Sequence, residues 1–253
     1  MVKELPRRLT IHCAWWIRNE NLDSAVSQVN RTFHSLAELH PTWRSWYLLP
    51  KSIQFEDEPD RAIFDNTDLI RQKFLSSQKS YDGGPFNYDL GYSIMVLSEP
   101  VNGKGVERSN LWMSCCHRTK YAGYNILSIQ LPTKEHAPDL YSVDLLCRTV
   151  NILVEVWDPD SLVAWDLRTK LTPEPWVPGP VLGWVNYFPR RTAIVDEELP
   201  PGWRWFEARG DKQIFIHEGG WPDASNAQHA AAFKQMFECI HWSEPPEGVT
   251  RVP

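Results

Sequence analysis

Residues 9 to 17 read LTIHCAWWI, and this stretch decides the fold. Its side chains form two alternating rows, which are Leu9, Ile11, Cys13 and Trp15 against Thr10, His12, Ala14 and Trp16. An alternation with a period of two predicts a β-strand. Because both rows contain apolar side chains, we expect both faces of this strand to be at least partly buried, as they are in the interior of a sheet.

Three segments around this strand have the periodicity of helices. Apolar residues recur at helical spacing over 22–37, where Asn21 can cap the start and Pro41 prevents continuation. A second helix is predicted from Asp139 to the Asp158-Pro159 dipeptide. A final helix should begin near Asp223. We expect it to bury Ala227, Ala231, Met236, Phe237 and Ile240.

Two shorter helical segments are also indicated. The spacing of Trp43, Trp46 and Tyr47 is that of one face of a short helix. Another short helix should start at Thr67. We expect it to bury Leu69, Ile70 and Phe74.

The remaining ordered segments are typical of strands. Residues 91–98, 109–118 and 125–132 are joined by turns rich in Gly and Asn, which predicts an antiparallel meander. Later strands are expected at 161–167, 181–188, 203–208 and 213–218, the last two forming a hairpin. The expected fold is therefore α+β, with mostly antiparallel sheet or sheets covered by two or three long helices, in a single domain over residues 1–253.

Composition excludes several classes of protein. The 253 residues carry a formal net charge of −6, which argues against a protein that grips nucleic-acid phosphates. No window is long and apolar enough for a membrane helix, and no signal peptide precedes the first strand, so a cytoplasmic protein is expected. The five scattered cysteines indicate reduced, mostly buried thiols. Cys115 and Cys116 should point to opposite faces of a strand, which argues against a shared metal.

Familiar catalytic patterns are missing from the sequence. Neither glycine-rich phosphate loop occurs, nor do the G-x-S-x-G and H-E-x-x-H patterns. His217 and Glu218 are neighbours on a strand and should point apart, and Asp158 and Asp160 fit a turn after a helix. No catalytic residue, cofactor or metal is therefore assigned. A small-substrate enzyme with an unrecognised pocket stays an alternative, and so does a peptide-binding module similar to a WW domain at 199–221.

Acidic residues and tryptophans are the unusual features that remain. A surface rich in both would suit a basic protein partner, because acidic charge speeds the capture of such a partner and exposed aromatic rings anchor it. The acidic candidates are Glu56, Asp57, Glu58, Asp60, Asp65 and Asp68, with Asp196, Glu197 and Glu198. The aromatic candidates are Trp176, which lies among prolines, and one of Trp203 and Trp205, which are expected on opposite faces of a strand, with Trp203 selected.

Several spaced motifs together resemble the immunity-protein-52 family of bacterial polymorphic toxin systems. They are W-x-x-R at 15–18, LAELHPTWRSW at 36–46, VEVWDPD at 154–160, GWVNYF at 183–188 and the late hairpin at 199–219. Their order and spacing carry the resemblance. Trp16 replaces the usual glycine after the first tryptophan, and prolines are denser than usual over 173–189.

The resemblance implies a cytosolic antidote that binds and neutralises a cognate toxin. Such toxins are often delivered by type VI secretion and are often nucleases. The implied protein is not an enzyme and needs no cofactor. It would act by stoichiometric occlusion, with a toxin as its partner and neither nucleic acid nor membrane involved.

Overall fold

Eleven strands and four α-helices follow one another along the residues that the computed structural model describes, which are 8–48, 62–77, 91–101, 107–117, 124–166, 181–209, 211–223 and 225–243. The helices are α1 (Leu22–Leu39), α2 (Thr67–Ser76), α3 (Val143–Trp157) and α4 (Ala227–Glu238). The strands are β1 (Thr10–Trp15), β2 (Trp46–Leu48), β3 (Tyr92–Ser98), β4 (Asn110–Cys115), β5 (Asn125–Gln130), β6 (Ser161–Trp165), β7 (Val185–Tyr187), β8 (Ala193–Val195), β9 (Trp203–Arg209), β10 (Lys212–His217) and β11 (Ile240–Trp242).

The strand β1 lies in the interior of a nine-stranded sheet, as its sequence predicts. The sheet has the order β2-β3-β4-β5-β1-β6-β7-β10-β9, and each neighbouring pair is antiparallel. The meander β3-β4-β5 and the hairpin β9-β10 confirm the predicted pairings. The α+β fold class, with an antiparallel sheet and helices in one domain, is also confirmed, while the boundaries 1–253 of that domain stay a prediction.

One face of the sheet is covered by α1 and α3. Ile11, Cys13 and Trp15 of β1 are fully buried on this face. The Trp15 ring contacts the Trp157 ring of α3, with centroids 5.2 Å apart, and the Trp157 indole donates to Thr32 Oγ1 of α1 at 2.9 Å. The apolar stripe of each helix thus packs on the sheet and on the other helix, which stabilises all three layers.

The other face is covered by α4 at the end of the sheet that holds β7, β10 and β9. Ile214 and Ile216 of β10 belong to the main core, whereas Phe215, between them, points to a second core. There Phe215 meets Trp203 and Phe233 of α4. The strands β8 and β11 pair with each other beside this second core.

The sequence signals for the two ends of α1 and for the start of α2 are confirmed. The Asn21 side chain accepts from the Ser24 N–H at 2.9 Å, and α1 ends just before Pro41. The helix α2 begins at Thr67, with Asn66 as its cap, and buries Ile70 and Phe74; Leu69 stays half-buried, so its predicted burial is met only in part.

Two expectations about helices are wrong in detail. Trp46 and Tyr47 do not continue a helix, because a short 3-10 helix over Pro41–Trp43 ends and the chain pairs with β3 as β2. The helix α3 starts at Val143 rather than Asp139, after a separate 3-10 turn over Pro138–Tyr141. The four helices include none that is long and apolar enough to cross a membrane, within the described residues.

The last helix is displaced and rotated from its predicted position. It begins at Ala227, where the Asn226 side chain caps it. Ala227 and Ala231 are exposed, against the prediction, and Phe237 is half-buried. The helix buries Met236 as predicted, together with Phe233, because these larger side chains at a spacing of three remove more apolar area from water. Ile240 is buried as predicted, but it lies in β11 and not in the helix.

Candidate functional site

A cluster of ions lies where β1, α3 and the turn before β8 meet. Its members are Arg18, Asp158, Asp160 and Arg191. Asp158 ends α3 in a left-handed conformation with φ of 42°, and its N–H donates to Val154 O at 3.0 Å. Pro159 then prevents another helical turn, so the chain turns and brings Asp160 beneath the end of the helix.

The Asp160 carboxylate is buried and fully surrounded by donors. Only 7% of its side chain is exposed. Oδ2 accepts from the Trp16 N–H at 2.8 Å and from Arg18 at 3.3 Å, while Oδ1 accepts from Arg191 Nε at 2.9 Å. Charge-assisted hydrogen bonds are stronger than those between neutral groups, so Asp160 is suited to holding these segments together.

Arg191 connects both acids. It also donates to Asp158 O at 2.9 Å and to Asp158 Oδ1 at 3.0 Å. Partial burial works to lower the pKa of Arg191, but the hydrogen bonds and charges of Asp160 and Asp158 outweigh it and raise that pKa. The cluster is therefore a set of matched charges that joins three segments.

Two of the motifs that carry the resemblance meet at this cluster, and a third is held by hydrogen bonds within itself. Arg18 of W-x-x-R donates to Trp157 O of VEVWDPD at 3.1 Å and also to Asp158 O. In GWVNYF, the Asn186 side chain accepts from the Gly183 N–H at 2.7 Å and donates to Gly183 O at 2.9 Å. These residues hold backbone segments in place.

Asp65 and Asp68 lie at the start of α2, and we call this place the α2 surface. Both are exposed. Asp65 is in a left-handed turn with φ of 59° and pairs with His34 of α1, while Asp68 lies in the first turn of the helix, where an acid is favoured by the helix dipole. Part of the predicted set, namely Glu56, Asp57, Glu58, Asp60 and Trp176, lies outside the described residues.

The second acidic group follows β8, and we call it the β8 surface. It consists of Ile194, Asp196, Glu197 and Glu198, all of them exposed. Asp196 Oδ1 lies 2.9 Å from His241 Nε2 of β11, and the Glu197 carbonyl accepts from the Trp205 indole at 3.2 Å. Ile194 exposes 50% of its surface, which is unusual for a large apolar side chain in a strand with buried neighbours.

The structure places these two surfaces apart. The α2 surface packs with α1 and β3, whereas the Val195 N–H of β8 donates to Gln213 of β10. β3 and β10 are six strand positions apart, which is roughly 29 Å along the sheet at about 4.8 Å a strand. A partner of ordinary size would need a long interface to contact both surfaces at once.

Trp203 is not an exposed anchor, so that expectation is wrong. It is 5% exposed, packs against Phe215 and Phe233, and donates from its indole to Ala232 O at 3.1 Å. The helix α4 covers this face of β9. Trp205, two residues further on, is half-buried.

His217 and Glu218 point apart, as predicted. His217 is buried against His229, Trp203 and Phe233, and burial lowers its pKa. Glu218 is about half exposed and pairs with Arg204 at 3.2 Å. In the described ranges, no group of three or more His, Cys, Asp and Glu residues is arranged to hold a metal ion.

The hairpin at 199–221 does not form a module of its own. β9 and β10 continue the large sheet through β7, and the Trp221 ring stacks on Tyr141, with centroids 5.0 Å apart. Its resemblance to a WW domain is therefore limited to short stretches of sequence.

Sequence reasoning missed Arg191 and Ile194. Arg191 is one of two adjacent arginines after Pro189, and nothing local links it to Asp160, 31 residues earlier. Ile194 belongs to a three-residue strand that is too short to show an alternation.

Comparison with known proteins gives one family. The family model described as immunity protein 52 matches residues 10–208, which include the ion cluster and the β8 surface. No curated protein matches the chain. Among solved structures, the chain is similar to the Pseudomonas aeruginosa T6SS protein PA0821, with 12% sequence identity and a TM-score of 0.48, over 93% of this chain and 77% of that one. From the family match, this chain belongs to the immunity protein 52 family.

Proposed function

We propose that this chain neutralises a cognate secreted toxin by binding it in a stoichiometric complex. In this complex the chain occludes the surface with which the toxin binds its substrate. The match to the immunity protein 52 family over residues 10–208 is the observation that carries the proposal. We further propose that the toxin is a nuclease delivered by type VI secretion, as the family resemblance implies. In this proposal the protein works in the cytoplasm and uses no cofactor and no catalytic residue of its own.

Charge supports a basic toxin as the partner. The chain has a formal net charge of −6, and both surfaces described above carry exposed acids. A nuclease must attract the phosphates of its substrate, so the surface around its active site is positively charged. An acidic protein that docks there occupies the place of the substrate and is captured rapidly.

The β8 surface is the one we favour for the toxin. The side chains of Glu197 and Glu198 are exposed and form no ion pair within the described ranges. Ile194 adds an exposed apolar side chain two residues before Asp196. Interfaces combine a small apolar centre with a polar rim, and this surface offers both on one short segment.

The α2 surface is the competing site. Its two acids are already engaged, Asp65 with His34 and Asp68 with the start of α2. Contacts within the chain that must be given up reduce the gain from binding. The exposed Leu75 of α2 gives this surface an apolar side chain too, so the experiment must compare both surfaces directly.

A search for a secreted-toxin gene beside this one, followed by co-expression of the two chains, tests the proposal. We expect a complex with equal numbers of both chains in native mass spectrometry, and survival of cells that express the toxin. Toxicity that persists at equal expression, with no complex detected, would reject the proposed function.

Matched charge reversals then locate the interface. The Glu197→Lys/Glu198→Lys variant should lose most of its affinity, because four units of charge change at the interface. The Asp65→Lys/Asp68→Lys variant changes the charge equally and serves as the control. Loss of affinity only in the second variant would move the interface to the α2 surface, and unchanged affinity in both would exclude both surfaces.

A further inference from the structure

Cys115 and Cys116 do not point to opposite faces, contrary to the expectation from sequence. β4 ends at Cys115, and Cys116 leaves the strand with φ of +59°, in the left-handed region. This rotation turns the second side chain back toward the first. The Cys116 thiol contacts Cys115 Sγ, with the two sulfurs 3.8 Å apart, and both residues are buried.

The neighbouring chain holds this conformation in place. A Cβ on Gly91 would lie 2.2 Å from Cys115 O and 3.1 Å from the carbonyl carbon of Cys116, so the backbone at Gly91 packs directly on this pair. After the pair, the His117 N–H donates to Asn125 Oδ1 at 3.1 Å. A left-handed conformation is unfavourable for a residue with a Cβ and persists only where surrounding contacts enforce it.

We propose that Cys115 and Cys116 form a redox modification site, a pair of adjacent thiols that a small disulfide oxidises to a reversible disulfide. The observation behind this proposal is the enforced meeting of two sulfurs that an ordinary strand would separate. Closure needs the sulfurs to move from contact to the bonded distance of about 2.05 Å.

The chemistry balances through two exchange steps. One thiol loses a proton, and its thiolate attacks a sulfur of the small disulfide, which releases one small thiolate and leaves a mixed disulfide on the protein. The neighbouring thiol then loses its proton and attacks the protein sulfur of that mixed disulfide, which releases the second small thiolate. Two cysteines have lost two electrons and two protons, and the small disulfide has become two thiols.

The bond formed should be easy to reduce. Consecutive Cα atoms are about 3.8 Å apart across a trans peptide, which is below the usual 4.4–6.8 Å for bridged cysteines. The bond is therefore strained, and strained disulfides have the higher reduction potentials of labile, regulatory bonds. Because of this strain, the bond should be easier to reduce than a structural disulfide.

Other cysteines in the chain provide internal references. Cys13 and Cys147 are buried, as the pair is, and burial raises the pKa of both thiols, to about 12 for Cys147. They therefore test whether oxidation requires the contact between two thiols. Cys239 is half-buried, at the end of α4, and offers the more accessible single thiol.

Oxidation of the pair should alter contacts at the end of β1. The Glu20 carboxylate accepts from the Trp15 indole at 2.9 Å. Burial raises the pKa of Glu20, and the nearby Cys116 backbone N–H is one of the groups that act to lower it. Closing the ring must change the backbone at Cys116. The favourable effect of the Cys116 N–H on the Glu20 carboxylate is then reduced, so the oxidised chain should unfold at a lower temperature.

Trypsin places the pair on a different peptide from the other three cysteines, so the oxidation state of the pair can be measured by itself. Cleavage after Arg108 and Arg118 gives one peptide, SNLWMSCCHR, with both members of the pair and no other cysteine. The full native chain is incubated with oxidised glutathione, alkylated and digested. We expect this peptide to lose two hydrogens and both alkylation sites, to recover both after dithiothreitol, and the oxidised chain to show the lower unfolding temperature.

Control variants distinguish the alternatives. Cys239→Ser should oxidise like the wild type, whereas Cys116→Ser should retain Cys115 as a thiol or as a glutathione adduct. If Cys116→Ser does not fold, the oxidation state of the peptide from the wild-type chain still tests the proposal. A peptide that stays fully alkylated in the native chain, or that carries glutathione without an internal bond, overturns the proposal. An unchanged unfolding temperature contradicts the link to Glu20.

Discussion

Asp160 and Arg191, 31 residues apart, are joined by a 2.9 Å bond between Oδ1 and Nε, and 7% of the Asp160 side chain is exposed. The same carboxylate binds the Trp16 N–H through its other oxygen. One buried anion thus connects the end of β1, the end of α3 and the turn before β8. Removing its charge should loosen three segments at once.

Asp160→Asn should lower the free energy of unfolding by about 2 kcal/mol, as measured by urea denaturation. Breaking a fully buried pair costs about 3–5 kcal/mol, and the cost is smaller here because Arg18 and Arg191 are partly exposed and can regain water. Asp158→Asn is the matched control. Its side chain is 64% exposed, and asparagine tolerates the left-handed conformation, so the loss should stay below about 1 kcal/mol. Equal losses would show that Asp160 has no special part in the cluster.

Trp203 and Trp205 should differ in their contribution to stability rather than to partner binding. Trp203→Ala empties part of the second core and should cost about 3–5 kcal/mol in the free energy of unfolding. Trp205→Ala removes a half-buried ring and one hydrogen bond to Glu197 O, so about 1 kcal/mol is expected. Thermal unfolding followed by circular dichroism ranks the two variants. A smaller loss for Trp203→Ala would contradict its placement in the core.

Much of the fold could be predicted because its signals are local. The alternation in 9–17 and the cap and stop residues Asn21 and Pro41 act over a few residues, and the structure follows them in β1 and α1. The strands β8 and β11 have three residues each and exist because they pair with each other and rest on the second core. Such short strands have no stability of their own, so no local pattern could reveal them.

The site was harder to predict because its residues act across the chain. The WDPD sequence predicts a helix end, which is correct for Asp158, but the partners of Asp160 come from two distant segments. Trp203 and Trp205 both contact Phe215, so they lie on the same side of β9 and not on opposite faces. The cover by α4, where Phe233 meets Trp203, decides which ring is buried.

His12 should make stability depend on pH in the acidic range. Burial lowers its pKa from 6.5 to about 4. Between these values the unfolded chain binds a proton that the folded chain does not, so stability falls as the pH drops from 6.5 toward 4, by roughly 3 kcal/mol at most, and does not change above that window. Urea denaturation across this range measures the slope.

His12→Gln removes the titration and can keep a hydrogen bond to Ser128 Oγ, which lies 2.8 Å from His12 Nδ1. We expect a shallower slope in this variant, with the remainder coming from His217, whose pKa is also lowered by burial. His241→Gln makes the same substitution at a side chain that is 62% exposed and serves as the control for the exchange of His for Gln. A His12→Gln slope equal to that of the wild type would contradict the assignment.

Gly91 and Gly202 both require a positive φ but differ in the atoms that surround them. Alanine variants at the two positions therefore distinguish conformational strain from steric clash. Both have positive φ, of 71° and 86°, so alanine at either position should cost about 1–2 kcal/mol in strain. A Cβ at Gly202 would meet nothing closer than 3.8 Å, whereas at Gly91 it would lie 2.2 Å from Cys115 O, a backbone atom that can move only with β4. Gly91→Ala should therefore lower the unfolding temperature well beyond the shift seen for Gly202→Ala, or prevent folding. Similar shifts in differential scanning calorimetry would show that the backbone at Gly91 does not pack on the Cys115–Cys116 pair as the structure has it.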